Sequence, residues 1–174
     1  PQMSIGMGPI YAKTPESGVP TTTGASADDY NIKLEWVAGG NPTITLNNAT
    51  LINELREVSY RTLVVGGSAD WVILLKGENR IYGNPTGSTT GAQACESIRS
   101  DGAGTLTIRG VQKTDSLWIE NTYGYCIVKN YNTLNIENCT ITLRALNTNN
   151  GHGCIRVGYG AAGYEDKANL NVIG

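Results

Sequence analysis

The sequence predicts an all-β chain wound as a right-handed parallel β-helix, a single-stranded solenoid of three sheets and about five rungs, the last incomplete. Three observations predict it. The chain holds 22 Gly, 17 Asn and 19 Thr among 174 residues and lacks Phe, a composition that disfavours helices and suits strands joined by left-handed corners. From Tyr30 onward the texture is short stretches of alternating apolar and polar residues separated by Gly, Asn and Asp, the signature of brief, one-sided strands. The third observation is repetition, which decides between a solenoid and an ordinary sandwich.

Three strand families interleave. Thr105-Leu106-Thr107-Ile108-Arg109-Gly110 returns 28 residues later as Thr133-Leu134-Asn135-Ile136-Glu137-Asn138, and more loosely as Asn169-Leu170-Asn171-Val172-Ile173-Gly174. Ser116-Leu117-Trp118-Ile119-Glu120-Asn121 returns as Thr140-Ile141-Thr142-Leu143-Arg144-Ala145. Cys95-Glu96-Ser97-Ile98-Arg99 is followed by Cys126-Ile127-Val128-Lys129 and Cys154-Ile155-Arg156, with Cys spacings of 31 and 28. The first and third families return after 28 to 31 residues and the second after 24, so each supplies one face of a coil.

Taken in order, residues 1–29 carry four of the six Pro and no apolar period, so they read as a linker or draped arm. The solenoid domain spans 30–174, with rungs at 31–58, 59–92, 93–121, 122–150 and 151–174. Asn31-Ile32-Lys33-Leu34-Glu35-Trp36 and Thr43-Ile44-Thr45-Leu46 are its first clear strands. Leu51, Leu55 and Val58 stand at helical spacing, so 51–58 is either a helical turn or strand plus corner. Aligning rungs on Leu and Ile alone sets Arg109 over Glu137 and Glu120 over Arg144, two opposite-charge columns that argue against a slipped register. The final rung leaves Leu170 and Val172 with nothing above them, which predicts either a truncated solenoid or self-association through this open rung.

Charge excludes some functions. Lys plus Arg number 13 against 15 Asp plus Glu, a net charge of −2, which is no footprint for nucleic acid. No apolar run of about 18 residues is present to span a membrane as a helix. The chain opens at Pro1 without an initiator Met or signal peptide, and so reads as a trimmed product of something longer. The four Cys form no CxxC pair and the single His is His152, against a structural zinc site.

Several residues are candidates for chemistry. Cys95, Cys126 and Cys154 would stack in one column, either as small buried thiols or with one disulfide between adjacent rungs. Arg99, Lys129 and Arg156 should point outward as a basic column, either a solvated face or a strip that meets uronate, sulfate or phosphate groups of an acidic polymer. Trp118 lies between inward Leu117 and Ile119 and so faces solvent, with Tyr123 and Tyr125 in the next corner; exposed rings of this kind grip sugars. They could equally lie beneath the arm or a loop. Glu96, Ser100 and Asp101 are the one nearby oxygen trio that could hold calcium, with a turn at Asp101-Gly102 as the competing role. Asn48-Ala49-Thr50 and Asn138-Cys139-Thr140 match the glycosylation sequon, but Asn138 at a rung corner suits a backbone-bonding role better.

Gly77-Glu78-Asn79 after Val72-Ile73-Leu74-Leu75-Lys76, then Ile98-Arg99-Ser100-Asp101-Gly102 and Thr105-Leu106-Thr107-Ile108-Arg109-Gly110, resemble the bacterial surface β-helices described as carbohydrate-binding domains, similar in fold to pectate lyases. The resemblance covers about residues 43–174. It implies a secreted or cell-surface location and binding to acidic polysaccharide with calcium, the Ser100-Asp101-Gly102 turn being the one position that matches an acidic motif of the family. Asn130-Tyr131-Asn132 replaces the Ser100-Asp101-Gly102 turn in the next rung and breaks any repeat of that site. Three functions are expected from this sequence: a non-catalytic glycan-binding module, a stalk, adhesin or phage-fibre segment, and a polysaccharide lyase. A lyase would need clustered carboxylates and a basic residue beside them, and the register does not cluster the carboxylates.

Overall fold

A computed structural model describes residues 8–36, 39–53, 61–83, 95–122, 124–146, 153–158 and 168–174. They form fifteen strands and no helix. The chain visits three sheets in the same order four times: β3 (Thr43–Asn47), β4 (Thr50–Asn53), β5 (Arg61–Val65); β6 (Trp71–Lys76), β7 (Glu78–Gly83), β8 (Cys95–Ser100); β9 (Leu106–Gly110), β10 (Ser116–Asn121), β11 (Gly124–Lys129); β12 (Thr133–Glu137), β13 (Thr140–Ala145), β14 (Ile155–Val157). It then adds β15 (Asn169–Ile173) to the first sheet. Every pairing from β3 onward is parallel. The result is an all-β architecture of three mostly parallel sheets, consistent with a β-solenoid.

Period-two alternation determines what each sheet buries. In the first sheet Ile44, Ile73, Ile108, Ile136 and Val172 are successive partners. The second aligns Leu51, Ile81, Ile119 and Leu143, and the third Leu63, Ile98, Ile127 and Ile155. Apart from the exposed Val172, these columns meet in one apolar core, most of it fully buried. The Arg109–Glu137 and Glu120–Arg144 partners are both in register as expected, and Arg144 Nη1 donates to Glu120 Oε2 at 3.1 Å.

The corner between the first and second sheets shows why Asn and Gly recur. Asn48 (φ 48°), Gly77 (φ 66°) and Asn138 (φ 50°) each turn the chain as a single left-handed residue, the conformation that Gly and Asn tolerate best. A Cβ on Gly77 would meet Asn48 Oδ1 at 2.1 Å, so any other residue there would displace that amide from its hydrogen bond with the Glu78 N–H. Asn138 Nδ2 donates to the Gly110 carbonyl of the preceding corner at 3.2 Å, the backbone-bonding role expected from its position. Asn79, buried, accepts from Ala49 N–H at 2.9 Å and donates to the Ser116 carbonyl at 3.2 Å, tying three successive turns together.

The amino-terminal region differs from a featureless arm. Ile10–Ala12 is a strand, β1, antiparallel to β2 (Ile32–Glu35), which is itself antiparallel to β3. These two strands extend the first sheet and close its amino-terminal edge, so Asn31–Trp36 is not part of the first parallel rung. Gly18 accepts from Ile52 N–H at 3.2 Å and lays the intervening chain along β4. Of the helical alternative over 51–58, residues 50–53 are strand; 54–58 lie outside the described residues. No helix among the described residues is long and apolar enough to cross a membrane.

Candidate functional site

The third sheet carries on its outer surface the densest charge cluster among the described residues. Register places Arg61, Glu96 and Tyr125 in one column and Val64, Arg99, Val128 and Arg156 in the other. The Glu96 side chain is only 2% exposed and accepts from Arg99 Nη1 at 2.7 Å and Arg61 Nε at 3.1 Å. Arg156 Nη2 lies 3.8 Å from its other oxygen. Arg99 also donates through Nε to both oxygens of Asp101, at 2.6 and 2.7 Å. Burial works against the charge on Arg99, but the hydrogen bonds it donates to Asp101 and Glu96 outweigh it and its pKa is raised.

Two further contacts complete the cluster. The Arg156 guanidinium carbon lies 5.0 Å from the ring centroid of Tyr125, a cation–π distance, and Nη2 donates to Asn130 Oδ1 at 3.2 Å. Arg156 Nε is buried and makes no hydrogen bond. Val128 sits between Arg99 and Arg156 and is fully buried although it is outside the core cluster. The stems of flanking arginines commonly cover such a residue. Three guanidinium groups here face two carboxylates, leaving the patch net positive.

Lys129 is not part of the outer basic column. Its partners are Ser100 and Val157, and it is fully buried, with Nζ donating to the Gly102 carbonyl at 2.7 Å. Burial lowers its pKa to about 8, partly countered by Asp101 and Asp70. The reason is a one-residue slip: Ile98, Ile127 and Ile155 are in register, so the outer column reads Arg99, Val128, Arg156. The three-cysteine column fails by a slip of two residues, because Cys95 partners Gly124 and not Cys126. Cys126 and Cys154 are free thiols, as is Cys139.

The residues expected to ligate calcium, Glu96 and Asp101, are both bridged by Arg99, whose guanidinium stands where a cation would sit. No group of three or more His, Cys, Asp or Glu suited to a metal exists among the described residues.

Trp118 lies on a different surface. It is 38% exposed on the outer face of the second sheet, with Arg80 and Thr142 as its strand partners. Tyr82 and the Glu120–Arg144 pair occupy the neighbouring column. Tyr125 belongs to the arginine cluster instead, and Tyr123 lies outside the described residues. The structure therefore divides the predicted site into an aromatic face on the second sheet and a cationic face on the third. The arginine cluster is the element the sequence reading missed in part: Arg61 lies in β5, whose register no repeated motif fixed.

Comparisons with known proteins add nothing to these faces: no family model, no curated protein and no solved structure matches the chain.

Proposed function

We propose that the chain is a non-catalytic polysaccharide-binding module of a secreted or cell-surface bacterial protein, directed at acidic glycans and built as a right-handed parallel β-helix. The handedness follows the general rule that connections between parallel strands of one sheet are right-handed in nearly all proteins. The observation that carries the functional reading is Trp118, exposed at 38% on a sheet face between Arg80 and Thr142. A flat aromatic surface flanked by hydrogen-bonding side chains matches the apolar face and polar rim of a sugar ring. Arg156 and the net positive cluster on the adjacent sheet supply the preference for carboxylate or sulfate groups.

A glycan array probed at low and high salt tests this. Binding to acidic polymers that weakens with salt and is lost in Trp118→Ala supports the reading; no binding to any glycan refutes it. A polysaccharide lyase would instead release an unsaturated product that absorbs in the near ultraviolet.

A stalk or adhesin segment is a second reading, and β15 favours it. All five of its residues are exposed, with Val172 at 71%, and among the described residues it pairs with β12 alone. Such an edge is suited to pairing with a further strand, including one from a second copy.

A further inference from the structure

We propose that Cys126 and Cys154 are the two halves of an oxidisable cross-link that staples one turn of the chain to the next, directly behind the Tyr125–Arg156 pair. The register of β11 and β14 carries the inference. Ile127 partners Ile155, and Ile127 N–H donates to the Cys154 carbonyl at 3.0 Å, so the preceding residues, Cys126 and Cys154, are neighbours across the same ladder. Partners in adjacent parallel strands have Cα atoms about 4.8 Å apart, inside the range a disulfide spans.

The thiols also occupy equivalent surroundings. Cys126 Sγ lies 3.8 Å from the Ile119 carbonyl and Cys154 Sγ lies 3.6 Å from the Leu143 carbonyl. Ile119 and Leu143 are themselves partners in β10 and β13. The two side chains are therefore held in the same orientation one turn apart, and burial, with Cys154 beside it, raises the pKa of Cys126. Cys139 has no such partner among the described residues; it follows Asn138 at the opposite corner, after β12.

Exposure dictates the order of events. Cys126 is fully buried, whereas Cys154 is partly exposed. The Cys154 thiolate attacks a low-molecular-weight disulfide, forming a mixed disulfide and releasing one small thiol. Cys126 attacks the Cys154 sulfur and breaks the mixed disulfide, its proton passing to the second small thiol as that leaves. Two protein thiols are oxidised and one small disulfide is reduced to two thiols. The product links residues adjacent to Tyr125 and Arg156, and so fixes the position of the arginine that caps the cationic face.

The test is to incubate the full chain with oxidised glutathione, alkylate the remaining thiols and map the peptides by mass spectrometry. The expected product loses two hydrogens, joins the peptides of Cys126 and Cys154, leaves Cys139 alkylated, and unfolds several degrees higher than the reduced protein. Cys126→Ser should stop at the first step, with one glutathione retained on Cys154. Cys154→Ser should leave Cys126 unmodified. A wild-type chain that keeps glutathione on Cys154 without resolving it, or that cross-links through Cys95 or Cys139, overturns the proposal.

Discussion

Lys129 is fully buried in a column of core-facing residues, and its Nζ reaches the Gly102 carbonyl of the previous turn at 2.7 Å. A lysine in that position is a conflict between fold and solvation, because an ammonium group loses far more on leaving water than one hydrogen bond returns. Burial accordingly lowers its pKa from 10.5 to about 8.

The consequence for stability has a definite sign. Between about pH 8 and 10.5 the unfolded chain holds a proton on Lys129 that the folded chain has released, so this residue's contribution to stability rises with pH across that window. Cys126 works the other way, its thiol being raised from 9.0 to about 12, which lowers stability above about pH 9. The comparison that isolates the lysine is wild type against Lys129→Met. The variant should be the more stable at pH 7, by on the order of 1 kcal/mol after the lost hydrogen bond is counted. Its advantage should shrink by pH 9.5. Urea denaturation at the two pH values measures both.

Glu96→Gln removes the charge that faces Arg61, Arg99 and Arg156. Three guanidinium groups would then surround a neutral amide, and breaking a buried ion pair from one side is costly. The expected loss is about 2–3 kcal/mol, read as a lower denaturation midpoint with unchanged slope. Arg144→Ala should cost at most about 0.5 kcal/mol, because its partner Glu120 is reached across exposed surface. A double-mutant cycle over Glu120 and Arg144 checks the smaller value.

Calcium should leave the melting temperature unchanged. Arg99 already bridges Glu96 and Asp101, so a divalent cation would have to displace a guanidinium that forms hydrogen bonds to both carboxylates. Thermal scans in millimolar calcium and in excess chelator give the answer. A rise in calcium that disappears in Glu96→Gln would show that the metal competes with Arg99.

The first and second sheets were legible in the sequence because their motifs combine period-two alternation with a recognisable copy one turn later, 28 residues from Leu106 to Leu134 and 24 from Leu117 to Ile141. Charge partners at Arg109 and Glu120 followed without further assumption. The third sheet was legible only to within one or two residues. Its motifs begin with Cys, but two residues separate Cys95 from Ile98 while Cys126 and Cys154 are each followed directly by Ile. Aligning on Cys therefore slips the register, whereas aligning on Ile does not. Lys129 compounded the slip, since lysine is rarely fully buried and so reads as an outward residue. The antiparallel β1–β2 pair was illegible because Ile10–Ala12 is too short to show an alternation; its pairing depends on tertiary contact with β3 through β2.

Trp118 offers the most direct measurement of the proposed function. Affinity electrophoresis through gels containing polygalacturonate, run at low and high salt, compares wild type, Trp118→Ala and Arg156→Ala. Wild type should be retarded at low salt and less so at high salt. Trp118→Ala should bind more weakly by on the order of 1 kcal/mol or more while keeping its fold, and Arg156→Ala should bind with a smaller dependence on salt. Equal mobility of all three proteins in gels with and without the polymer, at both salt concentrations, would contradict the assignment of these faces to acidic glycans.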